Sequence, residues 1–289
     1  MKKYVAMVLV SVLILTATAC SNNNHALSQI YEVDSGSLAD DVFNHENVIS
    51  DEVVYTQEFP EGQAKTIQVN GESWDVKYKH SLYQPLNNRK VHGYVMDGSE
   101  DDTVFLNEDG SIYGGSADFR VLDISKTDTA DTVRTVLEVS MTDLVDLSKY
   151  EHVDVERAGD ENDFEWYRFL FYNTVHGVRS DFVKVDVDSD GAVNNLWINN
   201  LLVNAEEQCE GIDKDIEETL IVERLKMIFD TQTTEYRSHS SWAMPRFCIY
   251  ENELCVLYRL TVHVYDEELE KEQQDGCELL IPVRLLTES

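Results

Sequence analysis

Between residues 57 and 124, polar and apolar positions alternate in short runs. Thr66-Ile67-Gln68-Val69 and Ser73-Trp74-Asp75-Val76-Lys77-Tyr78 follow the period of two expected of strands with one buried face. Val104-Phe105-Leu106 and Ser111-Ile112-Tyr113 flank Asn107-Glu108-Asp109-Gly110, which reads as a hairpin with Gly110 at positive φ. Phe119 to Ile124 adds a further short strand. The period then changes. Val133, Val136, Leu137, Met141, Leu144 and Val145 recur at spacings of three and four, which predicts an amphipathic helix whose start Thr127 or Asp128 could cap. Strands return at residues 151–156, 164–175, and 181–187 with 192–198 paired across a turn. A second helix between about 213 and 230 is marked by Ile216, Leu220, Arg224 and Ile228, with Leu225 and Phe229 beside the stripe. Strands follow at 246–250, 254–265 and 277–286, the last placed at an edge or a bulge by Pro282, which has no N–H for a ladder. The order predicts an α+β fold with helices packed on antiparallel sheets. Two helix-plus-strand-meander repeats, residues 126–206 and 207–289, follow a mostly-β region at 51–125.

The first twenty residues follow another grammar. Lys2 and Lys3 precede an apolar run from Val5 to Leu15, and Thr16-Ala17-Thr18-Ala19 leads into Cys20. The run is shorter than the roughly 20 residues of a membrane-spanning helix and reads as an export signal, residues 1–19. A cysteine at the cleavage point resembles a bacterial lipobox, with Ala17 where leucine is usual. The expectation is a lipoprotein held to the membrane by acyl chains on Cys20, facing the extracytoplasmic side. Ser21-Asn22-Asn23-Asn24 and the polar stretch to residue 50 read as a flexible tether, 20–50.

Charge narrows the partners. The 289 residues include 55 acids against 23 Lys and Arg, a formal net charge of -32, which excludes nucleic acid as a partner and disfavours adsorption to anionic lipid. With that many acids, any single carboxylate pair is uninformative about hydrolysis. Asp186-Val187-Asp188-Ser189-Asp190-Gly191 matches the first half of a calcium-binding EF-hand loop, but the twelfth position is Trp197 and not the required Glu. Asp186, Asp188 and Asp190 are therefore read as part of a strand and hairpin turn with Gly191 at positive φ, not as a metal site. Glu100-Asp101-Asp102 and Glu267-Glu268-Leu269-Glu270 are read as solvated loops, and the eight histidines show no metal spacing. Gly114-Gly115-Ser116 lacks the lysine and helix start of a phosphate cradle. Cys209, Cys248, Cys255 and Cys277 permit two disulfides, Cys248 to Cys255 across a hairpin and Cys209 to Cys277, or four buried thiols.

Trp166-Tyr167-Arg168-Phe169-Leu170-Phe171-Tyr172-Asn173, His176-Gly177-Val178, Val183-Lys184-Val185-Asp186-Val187 and Asp190-Gly191-Ala192-Val193 together resemble a PepSY-type repeat. The segment from Glu251 to Val262 resembles a second, divergent copy. The resemblance implies a helix-plus-sheet interaction module outside the cytoplasm, with no catalytic residues and no cofactor. It also implies a protein or peptide partner such as a peptidase or a membrane sensor kinase. Two other functions stay open. One is a solute-binding lipoprotein for a sugar or peptide, and the other is a hydrolase working through two carboxylates.

Overall fold

The computed structural model describes residues 30–32, 54–69, 71–99, 102–160, 163–201, 204–250 and 252–287. The export signal, Cys20 and most of residues 20–50 lie outside them. Of the described residues, 55% are in strands and 17% in helices, so the fold is mainly β. This corrects the expected α+β class with helices packed on antiparallel sheets. The reason is strand length: alternation runs beyond the segments where it is cleanest, and bulges carry the pairing through polar interruptions.

In chain order the strands are β1 (Ile30–Glu32), β2 (Val54–Thr56), β3 (Ala64–Val69), β4 (Glu72–Gln84), β5 (Arg89–Met96), β6 (Thr103–Asn107) and β7 (Ile112–Val121). Helix α1 (Ala130–Ser140) precedes β8 (His152–Gly159), β9 (Phe164–Val175), β10 (Val178–Asp188) and β11 (Ala192–Asn199). Then come α2 (Ala205–Gln208), α3 (Lys214–Phe229), β12 (Thr234–Ser241), β13 (Arg246–Tyr250), β14 (Glu253–Asp266) and β15 (Lys271–Pro282).

The chain forms two compact units. The larger holds Val53–Gln208 with Phe247–Asn252. Its sheet runs β10-β11-β7-β6-β5-β4-β2, with β9 on the other side of β10, β8 beyond β9, and β3 on β4. Residues 51–125 and 126–206 thus share one core, from Ile67 and Val76 through Phe119 to Phe169, Val185 and Leu196. Helix α1 seals that core with Val133 and Leu137, both fully buried. Its cap is Thr129, one or two residues beyond the expected Thr127 or Asp128, and the Thr129 side chain accepts from the Thr132 N–H at 3.3 Å.

Two glycines let β7 lie close against both of its neighbours. Gly115 has φ +144°, and a Cβ there would stand 2.0 Å from the Thr103 carbonyl oxygen on β6. A Cβ on Gly114 would stand 2.2 Å from the Leu196 carbonyl oxygen on β11. The Gly114-Gly115-Ser116 run is therefore a strand squeezed between two neighbours, which explains a motif that made no sense as a phosphate loop. Gly110 and Gly191 take the positive φ expected of them, 86° and 90°.

The smaller unit holds Cys209–Arg246 and Glu253–Ser289, with β1. β14 and β15 pair antiparallel from Cys255↔Pro282 to Asp266↔Lys271, closed by the Glu267 to Glu270 turn. β12 lines one edge of β14, and β1 pairs parallel with β15 at Glu278 to Leu280. Pro282 ends β15, where its missing N–H costs nothing to the ladder. Helix α3 is capped by Asp213, whose side chain accepts from the Asp215 and Ile216 N–H groups. The element order helix, singly paired strand, long hairpin occurs in both units, as α1-β8-β9-β10 and α3-β12-β14-β15.

Candidate functional site

Strands β9 and β10 turn their apolar residues to the core, with Phe169, Phe171, Val183, Val185 and Val187 all fully buried. Because side chains alternate, the residues between them share the opposite face. A polar row crosses the larger unit's sheet on that face. Glu156 pairs with Arg168, Arg168 with Asp186, Asp186 with Asn195, Asn195 with Ser116 and Ser116 with Thr103, through six strands. A second row, Ala158, Trp166 and Asp188, lies beside it.

The rows are joined by specific bonds. Arg168 donates from Nε to Asp186 Oδ1 at 2.8 Å and from Nη2 to Asp186 Oδ2 at 3.1 Å, a two-pronged pair that fits the planar guanidinium. It donates from Nη1 to Glu156 Oε2 at 3.2 Å and stands 5.2 Å from the Trp166 ring centre. Asn195 Nδ2 donates to Asp186 Oδ2 at 3.0 Å, and Asn194 Nδ2 to Asp188 Oδ2 at 2.6 Å. The hydrogen bond to Asp186 is the main cause that raises Arg168 above its ordinary pKa, against the opposing effect of burial. Asp188 is also raised, first by burial and then by the nearby Asp190 and Asp186 charges. Over these strands lies an open groove of about 530 Å³, walled by Trp166, Arg168, Asp186, Asp188, Asn195 and Asp118.

Of the three acids weighed as a calcium loop, only two face this groove. Asp186 is spent on Arg168, while Asp188 sits at the end of β10. Asp190 turns away to accept from the Ala192 N–H at 3.1 Å, stabilising the hairpin turn. Among the described residues no three His, Cys, Asp or Glu side chains are placed to hold a metal ion.

A second cleft in the same unit, about 670 Å³, is lined by Lys149, Glu151, Asn173, Ser180, Asp181 and Asn204. Asp181 accepts from the Leu201 N–H at 2.6 Å, and burial raises its carboxyl. Tyr150 donates to Asn200 Oδ1 at 3.1 Å and is pushed up to about 12 by burial and by Asp181. The buried Arg89 donates to the Asn200 carbonyl. These groups fix the chain at Asn200 to Leu201 by hydrogen bonding.

The four cysteines among the described residues are buried, Cys248 in the larger unit and Cys209, Cys255 and Cys277 in the smaller. They stand as free thiols, with neither the Cys248–Cys255 nor the Cys209–Cys277 bridge formed among the described residues. Burial raises the thiols of Cys209 and Cys277.

β8 is the remaining feature of note. Among the described residues it pairs with β9 alone, and six of its eight residues are exposed. The groove escaped the sequence reading because its walls, from Asp118 on β7 to Asn195 on β11, lie far apart in the chain, and although a strand was expected at 151–156, its place at an edge shows only in the pairing. The one visible signal was a charged Arg168 inside an otherwise aromatic strand. No family model matches the chain, and no curated protein or solved structure matches it either.

Proposed function

We propose that the chain is an extracytoplasmic lipoprotein, anchored through acylated Cys20, that binds an extended segment of another protein and does no chemistry of its own. The exposed edge β8 carries this reading. An edge strand offers a row of unpaired N–H and C=O groups to an incoming strand, and main-chain pairing of this kind supplies affinity without a deep pocket. Asp154 and Glu156 stand on one face of β8, and cross-strand charge pairing favours a partner with basic side chains at alternate positions. The PepSY-like sequence pattern supports an interaction module, and a peptidase or a sensor kinase fits as the partner.

Hydrogen exchange with an alternating Lys-Val peptide tests the edge. Slowed exchange confined to residues 152–159 supports the reading; no protection, or protection spread evenly over both units, sinks it. Fractionation tests the anchor: Cys20→Ala should leave the membrane fraction and appear as soluble protein.

A further inference from the structure

The second cleft of the larger unit is walled where β9 and β10 part. A bulge interrupts their pairing between Arg179 and Phe182, and there two successive residues, Ser180 and Asp181, line one cavity of about 670 Å³. Ser180 is buried, with 8% of its surface exposed, and its hydroxyl makes no hydrogen bond to any described residue. The oxygen is not sealed from solvent, so it is reached through the cleft. A hydroxyl so placed has given up most of its water without gaining a partner, a cost that a bound ligand would remove. Asp181 spends Oδ1 on the Leu201 N–H at 2.6 Å and Oδ2 on no described group. Asn173 accepts from the Glu151 N–H at 3.0 Å and Asn204 from the Glu206 N–H at 3.2 Å, each through Oδ1, and the side-chain N–H groups of both amides are unspent. The wall thus holds acceptors and donors side by side.

We propose that this cleft binds a neutral sugar, whose hydroxyls donate to Asp181 Oδ2, exchange a hydrogen bond with Ser180 Oγ and accept from the Asn173 and Asn204 amides. A sugar hydroxyl is at once donor and acceptor, which is the mixture this wall presents. Val175, Leu201 and Ala205 add apolar surface for the C–H groups of a sugar ring. The volume falls within the roughly 300–1,000 Å³ of small-molecule sites. An anion would meet the carboxylates of Glu151, Asp181 and Glu206, and an organic cation would leave both amides without an acceptor. The proposal does not rest on recognition by the β8 edge.

Saturation-transfer NMR on the full chain tests it, with glucose, galactose, mannose and N-acetylglucosamine as probes and cadaverine and citrate as charged controls. Transfer is expected to at least one of the four sugars and to neither control. Ser180→Ala removes a hydroxyl that bonds nothing in the protein, so it should melt with the parent while binding that sugar on the order of tenfold more weakly. Asp181→Asn keeps an acceptor for Leu201 and should weaken binding in the same direction. Glu267→Gln, in the β14–β15 turn, should bind as the parent does. No transfer to any of the four sugars, equal binding by Ser180→Ala, or an equal response from cadaverine or citrate would overturn the proposal. So would a Ser180→Ala protein that melts well below the parent, since its hydroxyl would then serve the fold.

Discussion

Arg168 and Asp186 face each other in register on β9 and β10, joined through two separate N–H to oxygen contacts of 2.8 and 3.1 Å. The smaller unit repeats the arrangement. Arg259 faces Glu278 on β14 and β15 with Nε to Oε1 at 2.7 Å, and its guanidinium lies 5.4 Å from the Trp242 ring centre. Each pair sits on the long hairpin that follows a helix and a singly paired strand.

The Arg168–Asp186 pair should be measurable as a coupling. Asp186 is mostly shielded and Arg168 about one-third exposed, so the pair is neither a surface bridge nor a fully buried one. Arg168→Met and Asp186→Asn should each lower stability by about 1–2 kcal/mol in urea unfolding, with the double variant recovering part of the loss. Strict additivity of the two losses would show that the pair contributes nothing specific.

Gly115→Ala should be far more damaging than its size suggests. The added methyl would overlap the Thr103 carbonyl oxygen, at a φ of +144° that side chains rarely adopt. A loss of about 3 kcal/mol or more is expected. Gly98→Ala, in a turn with nothing within 4 Å of the new carbon, bears only the strain of its φ and should cost less. Comparable melting temperatures for the two variants would contradict this account of β7.

Leu137→Ala tests how far α1 belongs to the core of the larger unit. Leu137 is fully buried, and truncation should cost about 2–5 kcal/mol. Thr135→Ala on the exposed face of the same helix should change stability by about 0.5 kcal/mol or less. A similar effect for both would mean that the helix is not packed as described.

Asp188 gives a pH signature. Its carboxyl is raised from 3.8 by burial, then by Asp190 and Asp186 and by Asp118 on β7, with Asn194 opposing. Arg168 on β9 is held by Asp186. A raised carboxylate makes the folded state bind its proton more tightly than the unfolded chain does. The charged form therefore destabilises the fold at neutral pH, and that penalty fades as pH falls through the raised value. Asp188→Asn should be the more stable protein at pH 7, with the difference closing on acidification. A difference that grows as pH falls would reverse the assignment.

Much of the chain was legible because its strands alternate cleanly. The expected 164–175 and 246–250 match β9 and β13, and the second helix lies within a residue of α3 at both ends. The failures have local causes. β4 continues past Tyr78 to Gln84 because a bulge between Tyr78 and His80 resets the alternation that the sequence seems to lose there. β12, with the sequence Thr-Glu-Tyr-Arg-Ser-His-Ser-Ser, has almost no apolar signal because it is a singly paired strand that buries little. β1 pairs with residues almost 250 positions away, which no local pattern announces. Such underestimates of strand length turned a mainly β chain into an expected α+β one. The groove was hidden for a related reason: Ser116, Arg168, Asp186 and Asn195 meet only through strand register.

Site-specific photocrosslinking on intact cells tests the central claim most directly. A photoreactive side chain at Val155, an exposed position on β8, should join the anchored protein to one exported or membrane partner through an extended, basic segment. The same probe at Val121, exposed on the end of β7, should not give that product. Identical adducts from both positions, or none from Val155, would contradict recognition by the β8 edge.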